Sequence, residues 1–269
     1  MTHILDNKKH FIISILTFMC IAMTGFSQEK EQFKKESFIQ QRDTLNYRIL
    51  YPENFSEDKT YPLMLFLHGA GERGRDNEKQ LVHGSTLFLD SLNRKKFPAV
   101  VVFPQCPESD YWSNVNVDRS ADGNNFKFEN GGEPTKPLSQ VIKLLDSLIN
   151  RSFIDKNRVY VGGLSMGGMG TFEILYRRPD MFAAAIAICG GADPETVSAY
   201  AKTTPVWIFH GAMDDVVNPK YSLKMAEALL KAGAHPKMYL YDTENHNSWD
   251  RAFAEADFLP WLFDKKRAE

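Results

Sequence analysis

Arg158-Val-Tyr-Val-Gly-Gly-Leu-Ser165-Met-Gly-Gly168 begins as an apolar run and ends with four glycines around one serine. Within it, residues 163–167 read Gly-Leu-Ser-Met-Gly, the G-x-S-x-G pattern of a serine carried on a sharp strand-to-helix turn. Side chains two residues either side of that serine would collide across so tight a turn, and glycine removes both collisions. A helix starting just after Ser165 would also aim its first N–H groups at negative charge developing beside the hydroxyl. The pattern carries weight because an apolar strand precedes it and a helical stretch, 166–176, follows.

Working outward, other short apolar runs stand at 47–51, 62–67, 99–103, 183–188, 206–209 and 238–241. They are continuous rather than alternating, which predicts strands buried on both faces of a mostly parallel sheet. Helical spacing is found at 138–149, 166–176, 220–231 and 249–263, and Gly233 suits the position just past the third helix. Strands alternating with helices predict an α/β fold with helices on both faces of the sheet. Residues 109–135 break the alternation, and a loop that long in a compact domain is usually functional or mobile.

A serine hydroxyl needs a base to become a nucleophile, and the base needs an orienting carboxylate. In the order Ser, acid, His, both partners lie downstream after later strands. The segment His210-Gly-Ala-Met-Asp214-Asp215 follows the run at 206–209 and offers two acids. Glu244-Asn-His246-Asn-Ser-Trp249 follows the run at 238–241 and offers the imidazole. Strand C-terminal ends are where open α/β sheets build their sites. The early turn Leu67-His68-Gly-Ala70-Gly71 suits an oxyanion hole, with the N–H of Ala70 as one donor and that of Met166 as the other. His68 and His210, each before a glycine at a strand end, read as hydrogen-bonded structural residues, and His83 and His235 as loop or helix-end residues. Trp112 and Trp249 are candidate substrate contacts, with packing beneath the irregular loop an equal alternative for Trp112.

These stretches, together with Tyr61-Pro-Leu-Met-Leu-Phe-Leu-His-Gly-Ala-Gly-Glu-Arg-Gly74 and Pro104-Gln-Cys-Pro107, resemble the α/β-hydrolase superfamily. Within it they are similar to secreted esterases related to polyhydroxybutyrate depolymerases and to feruloyl and acetylxylan esterases, a group labelled phospholipase/carboxylesterase or peptidase. The resemblance covers about residues 44–263. It implies Ser165 as nucleophile, His246 as base and Asp214 as its partner, although Asp215 stands where relatives often carry proline. It implies no cofactor and no separate lid domain. The expected substrate is a small-molecule or polysaccharide-linked carboxylic ester, with feruloyl or acetyl groups on carbohydrate favoured. A serine peptidase on the same scaffold is the alternative, and an inactive glycan-binding relative the third.

The rest of the chain narrows the setting. It has 269 residues, 43% hydrophobic and 25% charged, with 32 Lys+Arg against 34 Asp+Glu, the balance of an ordinary globular protein. A near-neutral charge without a basic stretch argues against nucleic-acid binding. Lys8, Lys9 and His10 precede the apolar run 11–23 and a small-residue pattern ending at Ser27. That reads as a cleaved export signal over 1–27, placing the chain outside the cell or in the periplasm. The run is too short to span a bilayer comfortably, and the bulky Phe18-Met19 before Cys20 argues against a lipid-modified cysteine. Residues 28–40 read as a flexible arm and 41–269 as the catalytic domain. Cys106 and Cys189 would remain after cleavage, either as buried thiols or as a pair. Asp118, Asp122, Gly123 and Glu129 match the spacing of a calcium loop, but Ser120, Asn125 and non-helical flanks favour a polar surface loop, and no metal is expected.

Overall fold

The computed structural model describes residues 30–120 and 123–267; the expected leader, 1–27, lies outside them. The strands are β1 (Lys34–Gln40), β2 (Asp43–Leu50), β3 (Tyr61–Leu67), β4 (Val100–Pro104), β5 (Val115–Ser120), β6 (Gly123–Phe128), β7 (Ile154–Leu164), β8 (Ala184–Ile188), β9 (Val206–Gly211) and β10 (Lys237–Tyr241). The helices are α1 (Ser85–Leu89), α2 (Ser91–Lys96), α3 (Lys136–Ile149), α4 (Met166–Arg177), α5 (Lys220–Lys231), α6 (Trp249–Ala254) and α7 (Phe258–Phe263). Eight strands form one sheet in the order β1-β2-β4-β3-β7-β8-β9-β10. From β4 to β10 the pairings are parallel, and β1 and β2 add an antiparallel edge.

Both faces of the sheet are covered, which is why its strands read as unbroken apolar runs. Along β3, Leu63, Leu65 and Leu67 join one core with Leu138, Val141, Leu144 and Leu145 of α3. Met64 and Phe66 point to the other face, among Phe88 of α1 and Phe258 and Leu262 of α7. α3 starts where it does because the Thr135 side chain accepts from the Leu138 N–H and Pro137 falls in the first turn, where its missing N–H costs nothing.

Three expectations are corrected. Residues 34–40, expected as part of a flexible arm, form the edge strand β1, paired with β2 from Lys34 to Gln40. Its side chains are mostly exposed, so no apolar pattern announces it. Backbone pairing holds it, and just before it Phe33 is fully buried against Phe103. Below lies a fully buried Arg48, whose guanidinium donates to the carbonyls of Phe33 and Asn77 at 2.6 Å each and pairs with Glu78. The irregular stretch 109–135 contains the β5–β6 hairpin. Phe126 and Phe128 of this hairpin pack edge-on against Tyr221 at 5.7 Å each. Asp118 there stands in an extended strand opposite Asn125, and Glu129 accepts from the Asn116 amide at 2.7 Å. The calcium-type wrap is therefore not formed by these residues; Asp122 lies outside the described ones. Finally, the helix expected over 249–263 is two helices, broken where Glu255 turns to extended backbone. Pro260 is accommodated in the first turn of α7.

Candidate active site

Four parallel strands end at one rim, and each delivers one part of the site. β3 ends at Leu67 and passes into His68, Gly69 and Ala70; β7 ends at Leu164, one residue before Ser165. β9 leads to Asp214 and β10 to His246.

Ser165 sits at φ 53°, ψ −118°, a left-handed conformation costly for any residue with a Cβ. The turn is enforced by contact: a Cβ on Gly167 would stand 1.9 Å from the Leu67 carbonyl oxygen, and one on Gly163 would stand 2.3 Å from that of Gly167. The N–H of Ser165 donates to the Ile188 carbonyl at 2.8 Å, tying the turn to β8. Met166 then opens α4, and Ala70 opens a 3₁₀ turn, Ala70–Glu72. First N–H groups of such turns have no partner within them and remain open to an anion.

The Ser165 Oγ lies 3.0 Å from His246 Nε2, and His246 Nδ1 lies 2.8 Å from Asp214 Oδ2. A carboxylate can only accept, so Nδ1 carries the proton and Nε2 is left as the acceptor facing the serine hydroxyl. Asp214 is buried and receives further donors. The N–H groups of Val216 and Val217 reach Oδ1 at 2.9 and 2.8 Å, and His210 Nε2 approaches Oδ2 at 3.2 Å. Burial alone would raise its pKa, but the hydrogen bonds from His210 and His246 hold the carboxyl well below the usual range. Asp215 is exposed, and its N–H donates to Asn245 Oδ1, which also accepts from the N–H of His246. Of the two acids, then, Asp214 is the one brought to the imidazole.

His210 and His68 are hydrogen-bonded structural residues, as expected, and each has a further contact that spacing alone does not reveal. His210 Nε2 faces two acceptors, the Val217 carbonyl at 2.8 Å and Asp214 Oδ2, and so carries the proton, leaving Nδ1 to accept from Ser222 Oγ at 2.7 Å. His210 thus anchors Asp214 to α5. His68 donates from Nδ1 to the Gly69 carbonyl at 2.6 Å and accepts at Nε2 from the Cys106 N–H. It thereby fixes the peptide that ends in the Ala70 N–H. Burial pushes the His68 imidazole down to about 4, so it is neutral near pH 7.

The two tryptophans part company. Trp112 is fully buried, its indole N–H donating to the His68 carbonyl at 3.1 Å and its Cβ against Gly170 of α4. It supports the turn from beneath and is not a substrate contact. Trp249 is partly exposed, its ring edge-on to that of His246 at 5.3 Å. Cys106 and Cys189 are both free and buried. Among the described residues Cys189, Asp214 and His246 could share an ion by distance. Burial, however, raises the Cys189 thiol well above its ordinary value, and a thiol held protonated is a poor ligand.

The sequence profile described as phospholipase/carboxylesterase matches residues 54–259. An acyl-protein thioesterase 1 homolog 2 from Dictyostelium discoideum is 27% identical over 194 residues, 69% of this chain and 85% of that protein. The bifunctional acetylxylan esterase/xylanase XynS20E of Neocallimastix patriciarum is 31% identical over 170 residues, 63% of this chain but 21% of that one. A crystal structure of a thermostable esterase superposes with a TM-score of 0.80 at 34% identity, covering 89% of this chain and 64% of that one. The chain thus spans most of the first relative, about a fifth of the second and under two thirds of the third.

Proposed function

The chain belongs to the phospholipase/carboxylesterase family of α/β hydrolases and is a carboxylic-ester hydrolase, and from that premise we propose that it works through an acyl-enzyme on Ser165. The observation that carries this is the continuous hydrogen-bonded line from Ser165 through His246 to Asp214. His246 takes the Ser165 proton at Nε2 as Oγ bonds to the ester carbonyl carbon, and Asp214 stabilises the imidazolium that forms. The oxyanion is met by the N–H groups of Ala70 and Met166. As the C–O bond breaks, His246 returns the proton to the leaving alcohol. Water then repeats the sequence and frees the acid and Ser165.

The substrate is a carbohydrate-linked ester, acetyl or feruloyl, and the enzyme acts outside the cytoplasm. Kinship with an acetylxylan esterase supports the first statement, and the basic-then-apolar stretch over 1–27 supports the second. Intact-mass analysis after treatment with an organophosphonate is expected to find one adduct, on Ser165. A label elsewhere, or Ser165→Ala with near-normal activity, refutes the mechanism. Assay against aryl esters, acetylated xylan and peptide anilides tests the substrate class.

A further inference from the structure

Glu72 supplies a carboxylate that the chemistry above leaves unused. It closes the 3₁₀ turn that Ala70 opens, and its side chain is only 13% exposed. Glu72 Oε2 and Ser165 Cβ lie 3.0 and 3.6 Å from the point where a Cβ on Gly69 would stand, so carboxylate and serine face the same small space. A carboxylate already met by protein donors has little to offer a ligand, whereas one left open can take a donor from outside. Asp214 has four such donors. The Glu72 carboxylate has, among the described residues, one polar partner, His83 Nε2 at 3.7 Å, beyond hydrogen-bond reach. Its oxygens are thus open to a hydrogen-bond donor that arrives with the substrate.

The neighbours indicate the class of that donor. The His83 ring lies 5.1 Å from that of Trp249, which lies 5.3 Å from that of His246. One wall therefore runs from Glu72 to the base, offering an acceptor, an imidazole able to donate or accept, and an aromatic surface. A sugar ring uses all three, through hydroxyls that both donate and accept and through its C–H face. An ammonium group uses the carboxylate but is repelled whenever His83 is protonated.

We propose that Glu72, with His83 and Trp249, forms the subsite for the sugar whose ester is cleaved, Glu72 accepting a hydrogen bond from a free hydroxyl beside the scissile oxygen. The proposal rests on the ester-hydrolase reading above. Its test compares a mono-acetylated methyl xyloside with cyclohexyl acetate, a ring ester without hydroxyls, and with glycine ethyl ester, in the wild type, Glu72→Gln and Glu72→Ala, after matching their melting temperatures. In Glu72→Ala the ratio of kcat/KM for the xyloside to that for cyclohexyl acetate is expected to fall at least about tenfold, the scale of one hydrogen bond to a charged group. Glu72→Gln, which keeps an acceptor oxygen, is expected to lose less. Equal losses on both ring esters would make Glu72 a structural residue and overturn the proposal, as would an unchanged ratio. A loss confined to glycine ethyl ester would assign the carboxylate to an ammonium instead. A wild type that cleaves cyclohexyl acetate but not the xyloside overturns the subsite alone, whereas one that cleaves no ester overturns the underlying reading.

Discussion

Asp214 and Asp215 are adjacent yet do opposite things. Neighbours in a turning segment point in different directions, and here one carboxylate is buried under four donors while the other faces water. Asp214→Asn is expected to lose at least about a hundredfold in kcat, since replacing the orienting acid of a serine protease costs about ten-thousandfold. Asp215→Asn is expected to lose less than about tenfold, a gap of roughly 1.4 kcal/mol or more. Steady-state kinetics on one activated aryl ester checks both, and the reverse order would move the acid to Asp215. Residue spacing narrowed the acid to these two positions; what separates them is the turn after β9, which brings the Val216 and Val217 N–H groups and His246 onto Asp214 and leaves Asp215 in water. The reach of His210 to Asp214 was equally hidden, because it depends on how the turn after β9 folds back. Trp112 was left between substrate contact and packing for a related reason: an irregular stretch of sequence carries no period from which burial can be read.

At the scale of elements, the packing of α4 against β3 leaves no room for a methyl group at Gly167, whereas a Cβ on Gly71 would meet nothing within 4 Å. Gly167→Ala is therefore expected to fail to fold or to lose more than about 3 kcal/mol, the scale of overpacking a tight core. Gly71→Ala is expected to stay within about 0.5 kcal/mol, as surface changes do. Urea titration of both variants measures the difference; similar midpoints would mean that the turn relaxes to admit the methyl. Those glycines and the runs flanking them were legible because buried parallel strands and tight turns leave strong residue preferences. β1 and the β5–β6 hairpin were not, since they are held by backbone pairing and by a few aromatic anchors, Phe33 just before the first and Phe126 and Phe128 in the second. The break between α6 and α7 was missed because the apolar spacing continues across it.

For the whole molecule, the buried His68 couples the oxyanion turn to stability. Its folded pKa is about 4, against about 6.5 for an unfolded histidine. Between those values the unfolded chain binds a proton that the folded chain refuses. Its contribution is therefore complete above about pH 6.5 and is lost as pH falls through 4, about 3 kcal/mol by that point. Asp214 acts in the same direction lower down, its contribution present above about pH 4 and lost on further acidification. Melting temperatures from pH 8 to pH 4 are expected to fall, and to fall less steeply in His68→Gln, which does not titrate; parallel curves would remove His68 as the cause. Across the molecule, the α/β layering was legible because burial on both faces imposes its own sequence pattern. The site is more dispersed: its groups hang from the ends of β3, β7, β9 and β10, so no stretch shorter than residues 68–246 contains them all. As the chain is synthesised, the serine emerges before the acid, and the imidazole, which follows β10, comes last. Until then Ser165 has no base, so the growing polypeptide carries its nucleophile long before it can use it, and activity waits on the last strand-end loop.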